Sequence, residues 1–164
     1  MGIKNKKMIW IKRFLKLALL VLIVIQFFPV EKNEGGYESL EPFIAETRPS
    51  QQVAGILKTS CYDCHSNQTQ YPWYANLAPV SFFLADHVEE GKEHLNFADW
   101  GNYTAKRKDH KLEEVLEEIE KNEMPLDSYT LIHQDAKLSA AQAEAIINWV
   151  KAARLSYSSI PQPQ

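Results

Sequence analysis

The spacing of apolar residues predicts helices along most of this chain, and almost nothing in the pattern indicates a strand. Residues 104–122 place Leu112, Val115, Leu116 and Ile119 at positions i, i+3, i+4 and i+7, with Glu and Lys on the other face. A further helix is predicted over residues 139–153. There Ser139 and Gln142 form a capping box ahead of an apolar stripe. The fold class predicted is all-α.

Two shorter helices are predicted earlier in the chain. Residues 53–57 predict a short helix that continues into residues 61–65. Another begins at Pro79, a residue favoured in the first turn of a helix, and is expected to end near Gly91. The stretches 66–78 and 97–103 predict loops.

The N-terminus combines a basic segment with an apolar one. Six Lys and Arg residues and no acidic residue lie within the first 16 positions, and residues 17–25 are an unbroken apolar run. This order is typical of an export signal. No small-residue cleavage site follows, and residues 9–30 approach the roughly 20 residues needed to span a bilayer. We therefore predict an uncleaved signal-anchor, a single transmembrane helix whose basic end stays in the cytoplasm.

This interpretation divides the chain into four parts and sets the charge of the exported one. They are a membrane anchor over 1–30, a linker over 31–50 containing Gly35 and Gly36, one domain over 51–157, and a flexible tail over 158–164. The chain after residue 30 carries all 21 acidic and 12 of the 18 basic residues, a net charge of −9. Such acidity excludes nucleic acid as a partner and suits docking to a basic patch on a redox partner protein.

The chemistry of the chain centres on Cys61-Tyr62-Asp63-Cys64-His65. C-x-x-C-H is the attachment pattern of a c-type haem, in which two thiols bond the vinyl groups and the imidazole binds the iron. These are the chain's two cysteines, so one covalent haem c per chain is expected. A zinc half-site and a thioredoxin-type redox pair are the alternatives. Zinc would need further ligands, and the redox pair would need a preceding strand.

The order of these parts resembles a class I cytochrome c. In that family a Met-Pro loop some 60 residues after the haem motif supplies the second iron ligand. Met124-Pro125 lies 59 residues after His65, and the other methionines, Met1 and Met8, lie in or before the apolar segment. The resemblance implies a small helical haem domain with His65 and Met124 as metal ligands.

A closer resemblance covers about residues 50–155. Residues 60–67, 71–74, 87–91 and 95–97, with Trp100, are similar to the haem-binding domain family of bacterial exported proteins. Many members of that family have one N-terminal membrane anchor. The resemblance implies haem binding on the periplasmic side of the inner membrane, with the domain held there by a single-pass anchor.

Further site residues are expected from these resemblances. The second ring nitrogen of His65 should donate to a carbonyl, for which Pro79 is the candidate. Trp100 or Tyr74 is expected to donate to a haem propionate. His87 is an alternative distal ligand, or a residue that lines the haem edge.

Three functions follow from these expectations. The first is a membrane-anchored electron carrier, which is favoured because no group resembles a substrate-activating acid or base. The second is a haem-based sensor or ligand-binding protein in which a small molecule displaces Met124. The third is a haem peroxidase-like enzyme using His87.

Overall fold

The structure, a computed structural model, describes residues 2–158, and this part of the chain is almost entirely helical. Its α-helices are α1 (Gly2–Val24), α2 (Glu41–Thr47), α3 (Gln51–Ser60), α4 (Tyr62–His65), α5 (Val80–His94), α6 (Ala105–Glu120), α7 (Asp127–Thr130) and α8 (Ala140–Ser158). Short 3-10 helices cover Ile25–Phe27, Glu38–Leu40, Trp73–Asn76, Phe97–Asn102 and Gln134–Ala136. The described residues contain no strand, only one isolated bridge between Glu34 and Gln68. The all-α prediction is confirmed, while most of the predicted tail lies outside the described residues.

The chain divides into two units that differ from the predicted domains. One consists of Met1–Lys32 with Tyr71–His87, and the other of Asn33–Gln70 with Val88–Gln164. The division falls within α5, so the predicted domain over 51–157 contributes residues to both units.

The N-terminal unit joins α1 to the segment around Ala78. After α1 ends at Val24, the Gln26 side chain makes two hydrogen bonds to the Ala78 backbone. Its amide donates to the carbonyl at 2.9 Å, and its oxygen accepts from the N–H at 3.0 Å.

No helix among residues 2–158 is long and apolar enough to cross a membrane. The transmembrane helix predicted over residues 9–30 is therefore not supported. The α-helical conformation stops at Val24, six residues before the predicted end, and α1 contains Lys12, Arg13 and Lys16.

In the second unit, the segment predicted as a linker is part of the hydrophobic core. Leu40 is 1% exposed and Phe43 is 0% exposed. Trp149 of α8 packs edge-on against Phe43 and donates its indole N–H to the Thr47 carbonyl at 2.9 Å. The linker prediction is thus wrong over residues 38–47, because two large apolar side chains of this segment are needed to fill the core.

The main packing of this unit is between α6 and α8. Thr104 caps α6 by accepting from the Arg107 N–H at 3.2 Å. Ser139 caps α8, since its hydroxyl accepts from the Gln142 N–H and the Gln142 side chain accepts from the Ser139 N–H. The predicted capping box is confirmed. These caps satisfy N–H groups that a helix cannot bond internally, and so they define where both helices begin.

A chain of polar side chains, buried except at Glu46, connects these helices to α2. The Trp100 indole donates to the Tyr157 hydroxyl at 3.1 Å, and this hydroxyl donates to Glu46 at 2.8 Å. Lys108 also binds Glu46, at 2.7 Å, and is itself buried. Each polar side chain of this network therefore has a partner, which avoids the cost of burying an unsatisfied one.

Replacing Phe43 tests whether residues 38–47 belong to the core. We expect Phe43→Ala to lower the free energy of unfolding by about 3–5 kcal/mol, the usual range for removing a buried aromatic side chain. The measurement is urea denaturation of the full chain. Ile44→Ala is the matched control, because Ile44 is 44% exposed in the same helix. A loss of stability for Phe43→Ala no larger than the control's would contradict the assignment.

Candidate haem site

The C-x-x-C-H segment begins at the junction of two helices and continues on the second, rather than lying on the single helix predicted. Helix α3 ends at Ser60, and Cys61 has non-helical backbone angles of φ −127° and ψ −41°. Helix α4 follows immediately, and the N–H groups of Cys64 and His65 donate to the Cys61 carbonyl at 3.2 and 3.0 Å. This tight turn keeps Cys61, Cys64 and His65 within one hydrogen-bonded segment.

The ring of His65 is oriented by two backbone carbonyls. Its Nδ1 lies 2.9 Å from the Gly91 oxygen and 2.9 Å from the Leu95 oxygen. A carbonyl can only accept, so Nδ1 carries the proton and donates it. The other nitrogen, Nε2, then has a free lone pair, which is the form that binds a metal. Burial lowers the pKa of His65, which further favours the neutral ring.

These acceptors correct the prediction for Pro79. The carbonyls that meet Nδ1 come from Gly91 and Leu95, on the last turn of α5 and just beyond it, so Pro79 is wrong as the acceptor. Helix α5 continues past Gly91 to His94, instead of ending near Gly91 as predicted. This extra turn is what carries the carbonyls to the imidazole.

Gly91 lets α5 approach the C-x-x-C-H segment closely. A Cβ atom at this position would lie 3.0 Å from both the Cβ and the carbonyl oxygen of Cys64. Such distances are too short for a carbon without displacement of α5 or of the backbone at Cys64. Glycine therefore allows the Gly91 carbonyl to reach His65.

Both cysteines are partly buried, and their surroundings raise the pKa of each thiol. Burial, with a contribution from Cys64, raises the pKa of Cys61 to about 12. Burial, with a contribution from Asp63, raises the pKa of Cys64 to about 11. A reactive dithiol has a lowered pKa instead, so these environments argue against a thioredoxin-type pair.

A cavity of about 360 Å³ opens beside His65. It is lined by Leu57, Ser60, Cys61, His65, His94, Leu95, Phe97, Glu114, Val115, Glu118, Ile119, Met124, Pro125 and Ile146. Most of these side chains are apolar, and the size is within the usual range for a cofactor or ligand site. The three predicted residues Cys61, His65 and Met124 thus line one cavity.

Met124 reaches this cavity from the loop after α6. Asn122 ends the helix with a positive φ of 57°, and the N–H groups of Glu123 and Met124 both point to the Glu118 carbonyl. A left-handed residue at this position commonly terminates a helix and reverses the chain. The reversal brings the half-buried thioether to the cavity wall, beside Pro125.

The other predicted site residues lie elsewhere. Trp100 is wrong as a propionate donor, because it is fully buried and its N–H is bonded to Tyr157. Tyr74 and His87 belong to the N-terminal unit, where His87 bonds the Phe83 carbonyl of its own helix at 3.1 Å. Their proposed roles stay predictions. Cys64 packs against Gly91.

Sequence reasoning missed several residues that shape the site. Leu95 contributes its backbone carbonyl, and because every residue has one, the residue type does not indicate this role. Gly91 could have been noticed as a glycine within a helical pattern, where it usually has a packing reason. Glu114 and Glu118 had been assigned only to the polar face of their helix. Their positions at the cavity are decided by the packing of α6.

These residues fit haem better than the alternatives. Cys61, an imidazole with its lone pair free and a thioether line one apolar cavity, and Cys64 adjoins His65 in the chain. Two thiols for the vinyl groups and two iron ligands are the groups that a c-type haem requires. The buried Tyr62 hydroxyl, next to Cys61 in sequence, has no hydrogen-bond partner among the described residues, but Tyr62 is not among the residues that line the cavity. Within residues 2–158, no cluster of three His, Cys, Asp or Glu side chains forms a metal site of the zinc type.

An all-helical protein with such a cavity has the features of a haem-binding protein, and a family comparison agrees. A family model described as a haem-binding domain matches residues 20–152. The chain belongs to this family, and haem is its bound partner. The assignment suggests a binding or electron-transfer role. Comparison with curated proteins and with solved structures gives no match.

Adding a methyl group at Gly91 tests how closely α5 must approach the haem motif. We expect Gly91→Ala to lower the haem content of the purified protein and its unfolding midpoint, because the new Cβ would displace the carbonyl that holds His65. Gly55→Ala is the matched control, since a Cβ at Gly55 meets no atom within 4 Å. Equal haem content and stability in both variants would show that the approach at Gly91 is unimportant.

Proposed function

We propose that this chain is a monohaem c-type cytochrome that transfers electrons outside the cytoplasm. Cys61 and Cys64 would hold haem covalently, each thiol adding its sulfur and its hydrogen across one vinyl group. His65 would bind the iron through Nε2, and Met124 would supply the second ligand. The domain would then be cytochrome c-like in function as well as helical in fold.

The observation that carries this proposal is the convergence of Cys61, His65 and Met124 on one apolar cavity. Met124 is 59 residues from His65 in the chain, yet both line the same space. The carbonyls of Gly91 and Leu95 hold the imidazole in the tautomer that a metal ligand requires. An apolar site with a thioether ligand also stabilises ferrous haem, which raises the reduction potential.

The rim of the cavity supports exchange of electrons with a protein partner. His94 is exposed and lines the cavity, so the site extends to the surface. Glu114 and Glu118 lie on the same lining, with the Glu114 side chain 43% exposed. Negative charge at the edge of the site, in a region of net charge −9, would attract a redox partner through a basic patch.

The spectrum of the haem-loaded chain tests the ligand set. We expect haem that survives denaturing electrophoresis, and a low-spin spectrum with a thioether-to-iron charge-transfer band. Met124→Ala should remove this band, open the iron to carbon monoxide and lower the reduction potential by about 100 mV or more, because axial ligands set potentials over about 0.8 V. Met8→Ala, an exposed methionine in α1, is the matched control.

Other spectra would redirect the proposal. Low-spin haem that Met124→Ala leaves unchanged would assign the distal position to a histidine. A high-spin, carbon-monoxide-reactive wild-type protein would argue for a sensor or an enzyme. Protein without haem, produced with a functioning cytochrome c maturation system, would overturn the proposal altogether.

A sensor is the second candidate, supported by a second cavity next to Met124. This cavity of about 260 Å³ shares Ile119, Met124 and Pro125 with the first. Its lining also includes polar side chains from the loop and from the start of α8, among them Asn122 and Lys137. Space on that side would receive the Met124 side chain if a small molecule took its place on the iron.

We also propose that the N-terminal segment directs the domain to the periplasmic side of the inner membrane. Basic residues followed by an apolar run support export. Most apolar side chains of α1 between Met8 and Val24 are exposed, which supports contact with lipid. Covalent haem attachment is expected in the same compartment.

Cell fractionation of the full chain tests the location. We expect the haem-bearing protein in the membrane fraction, with its domain cleaved by protease added to spheroplasts. Leu20→Arg places a charge within the apolar run and should reduce both export and haem attachment, whereas Lys6→Arg keeps the charge and should change neither. A haem-free protein in the cytoplasmic fraction would contradict the proposed location.

A further inference from the structure

The loop that carries Met124 is bound directly to the haem motif by one side-chain hydrogen bond. The Tyr129 hydroxyl, on α7, donates to Oδ2 of Asp63 at 2.8 Å. Asp63 is one of the two variable positions between Cys61 and Cys64, 66 residues away in the chain. The contact therefore joins the segment that carries the cysteines and His65 to the segment that carries Met124.

On the Asp63 side, one backbone N–H bonds the carboxylate and a side-chain hydroxyl bonds the Asp63 backbone. The second carboxylate oxygen, Oδ1, accepts from the Gln70 N–H at 3.0 Å, and the Asp63 carbonyl accepts from the Thr69 hydroxyl. The carboxylate thus cannot rotate toward solvent without losing a second hydrogen bond. Its oxygen is held as a fixed acceptor for Tyr129, and a hydroxyl bonded to an ionised acceptor forms one of the stronger hydrogen bonds in proteins.

On the Tyr129 side, the ring is fixed by packing within the same loop. It stacks on His133 with 4.4 Å between the ring centroids and an angle of 18° between the planes. The Tyr129 N–H and the Thr130 N–H both donate to the Leu126 carbonyl. Leu126 follows Met124 by two residues, so displacement of the tyrosine would be passed to Met124 through a short, hydrogen-bonded turn.

We propose that the Asp63–Tyr129 hydrogen bond positions Met124 over the cavity and sets how readily an external ligand displaces it. Asp63 and Tyr129 are positioning residues in this role, acting on the iron site through the Met124 loop. The inference rests on the proposed function, in which Met124 binds the iron. It adds that the strength of this ligation depends on a contact outside the cavity.

Displacement of Met124 by imidazole measures this role in the haem-loaded full chain. We expect Tyr129→Phe to bind imidazole about tenfold more tightly, the order expected for loss of a hydrogen bond to a charged acceptor. The charge-transfer band should weaken correspondingly. Asp63→Asn keeps a neutral acceptor and should show a smaller change.

Tyr157→Phe is the matched control for a purely structural effect. The Tyr157 hydroxyl also donates to a carboxylate at 2.8 Å, that of Glu46, but it connects α8 to α2 and not to the Met124 loop. We expect this variant to lose stability in urea while its imidazole affinity stays within twofold of wild type. If it changes imidazole affinity as much as Tyr129→Phe does, the proposal is wrong.

The double variant Asp63→Asn/Tyr129→Phe tests whether the two residues act as a pair. Its imidazole affinity should equal that of Tyr129→Phe alone, because the bond is already absent. Additive effects, or a Tyr129→Phe affinity within twofold of wild type, would overturn the proposal. A wild-type protein with haem but no charge-transfer band would instead refute Met124 as ligand. A normal band with an unaffected Tyr129→Phe variant would refute this inference alone.

Discussion

The arrangement of the haem site depends on the hydrogen bonds from His65 to the carbonyls of Gly91 and Leu95. They determine the tautomer of the ring, and so they determine which nitrogen is available to a metal. They also require the last turn of α5 to lie against the C-x-x-C-H segment, which the absence of a side chain at Gly91 permits. The same turn continues into Leu95 and Phe97, two apolar residues of the cavity lining. These two hydrogen bonds thus orient the His65 ring, and the segment that supplies them also forms part of the cavity wall.

The rest of the second unit holds that cavity open and apolar. Packing of α6 against α8 brings Val115, Ile119 and Ile146 to the lining. The hydrogen bonds from Trp100 through Tyr157 to Glu46 join α8 to α2. Binding a large planar cofactor in such a space gains from apolar contact, while a few polar groups set its orientation. Several apolar side chains, among them Leu57, Ile119 and Ile146, therefore serve both the helical core and the cavity wall.

The cysteines, His65 and Met124 could be recognised from the sequence as haem-site residues. Most of the groups that contact them in the fold could not. Apolar periodicity and end caps are sufficient to predict α6 and α8, because these two signals depend on residues within a few positions of one another. The linker prediction over residues 38–47 depends on Gly35 and Gly36, although Leu40, Phe43 and Ile44 have the i, i+3, i+4 spacing of a short helix. Trp100 was expected at the cofactor. Its actual acceptor, Tyr157, is 57 residues away, and no local pattern connects the two.

By itself, the sequence determined the helical class, the C-x-x-C-H group and Met124 as a candidate second ligand, because residue type and short spacing are properties of the chain. The tertiary structure alone decided that Cys61, His65 and Met124 line one cavity. It also decided that Gly91 and Leu95, rather than Pro79, orient the imidazole. Every residue carries a carbonyl, so the choice among carbonyls depends on which backbone the fold brings within 3 Å of the ring. That choice is made by the close packing of α5 at Gly91, a contact between segments about 26 residues apart.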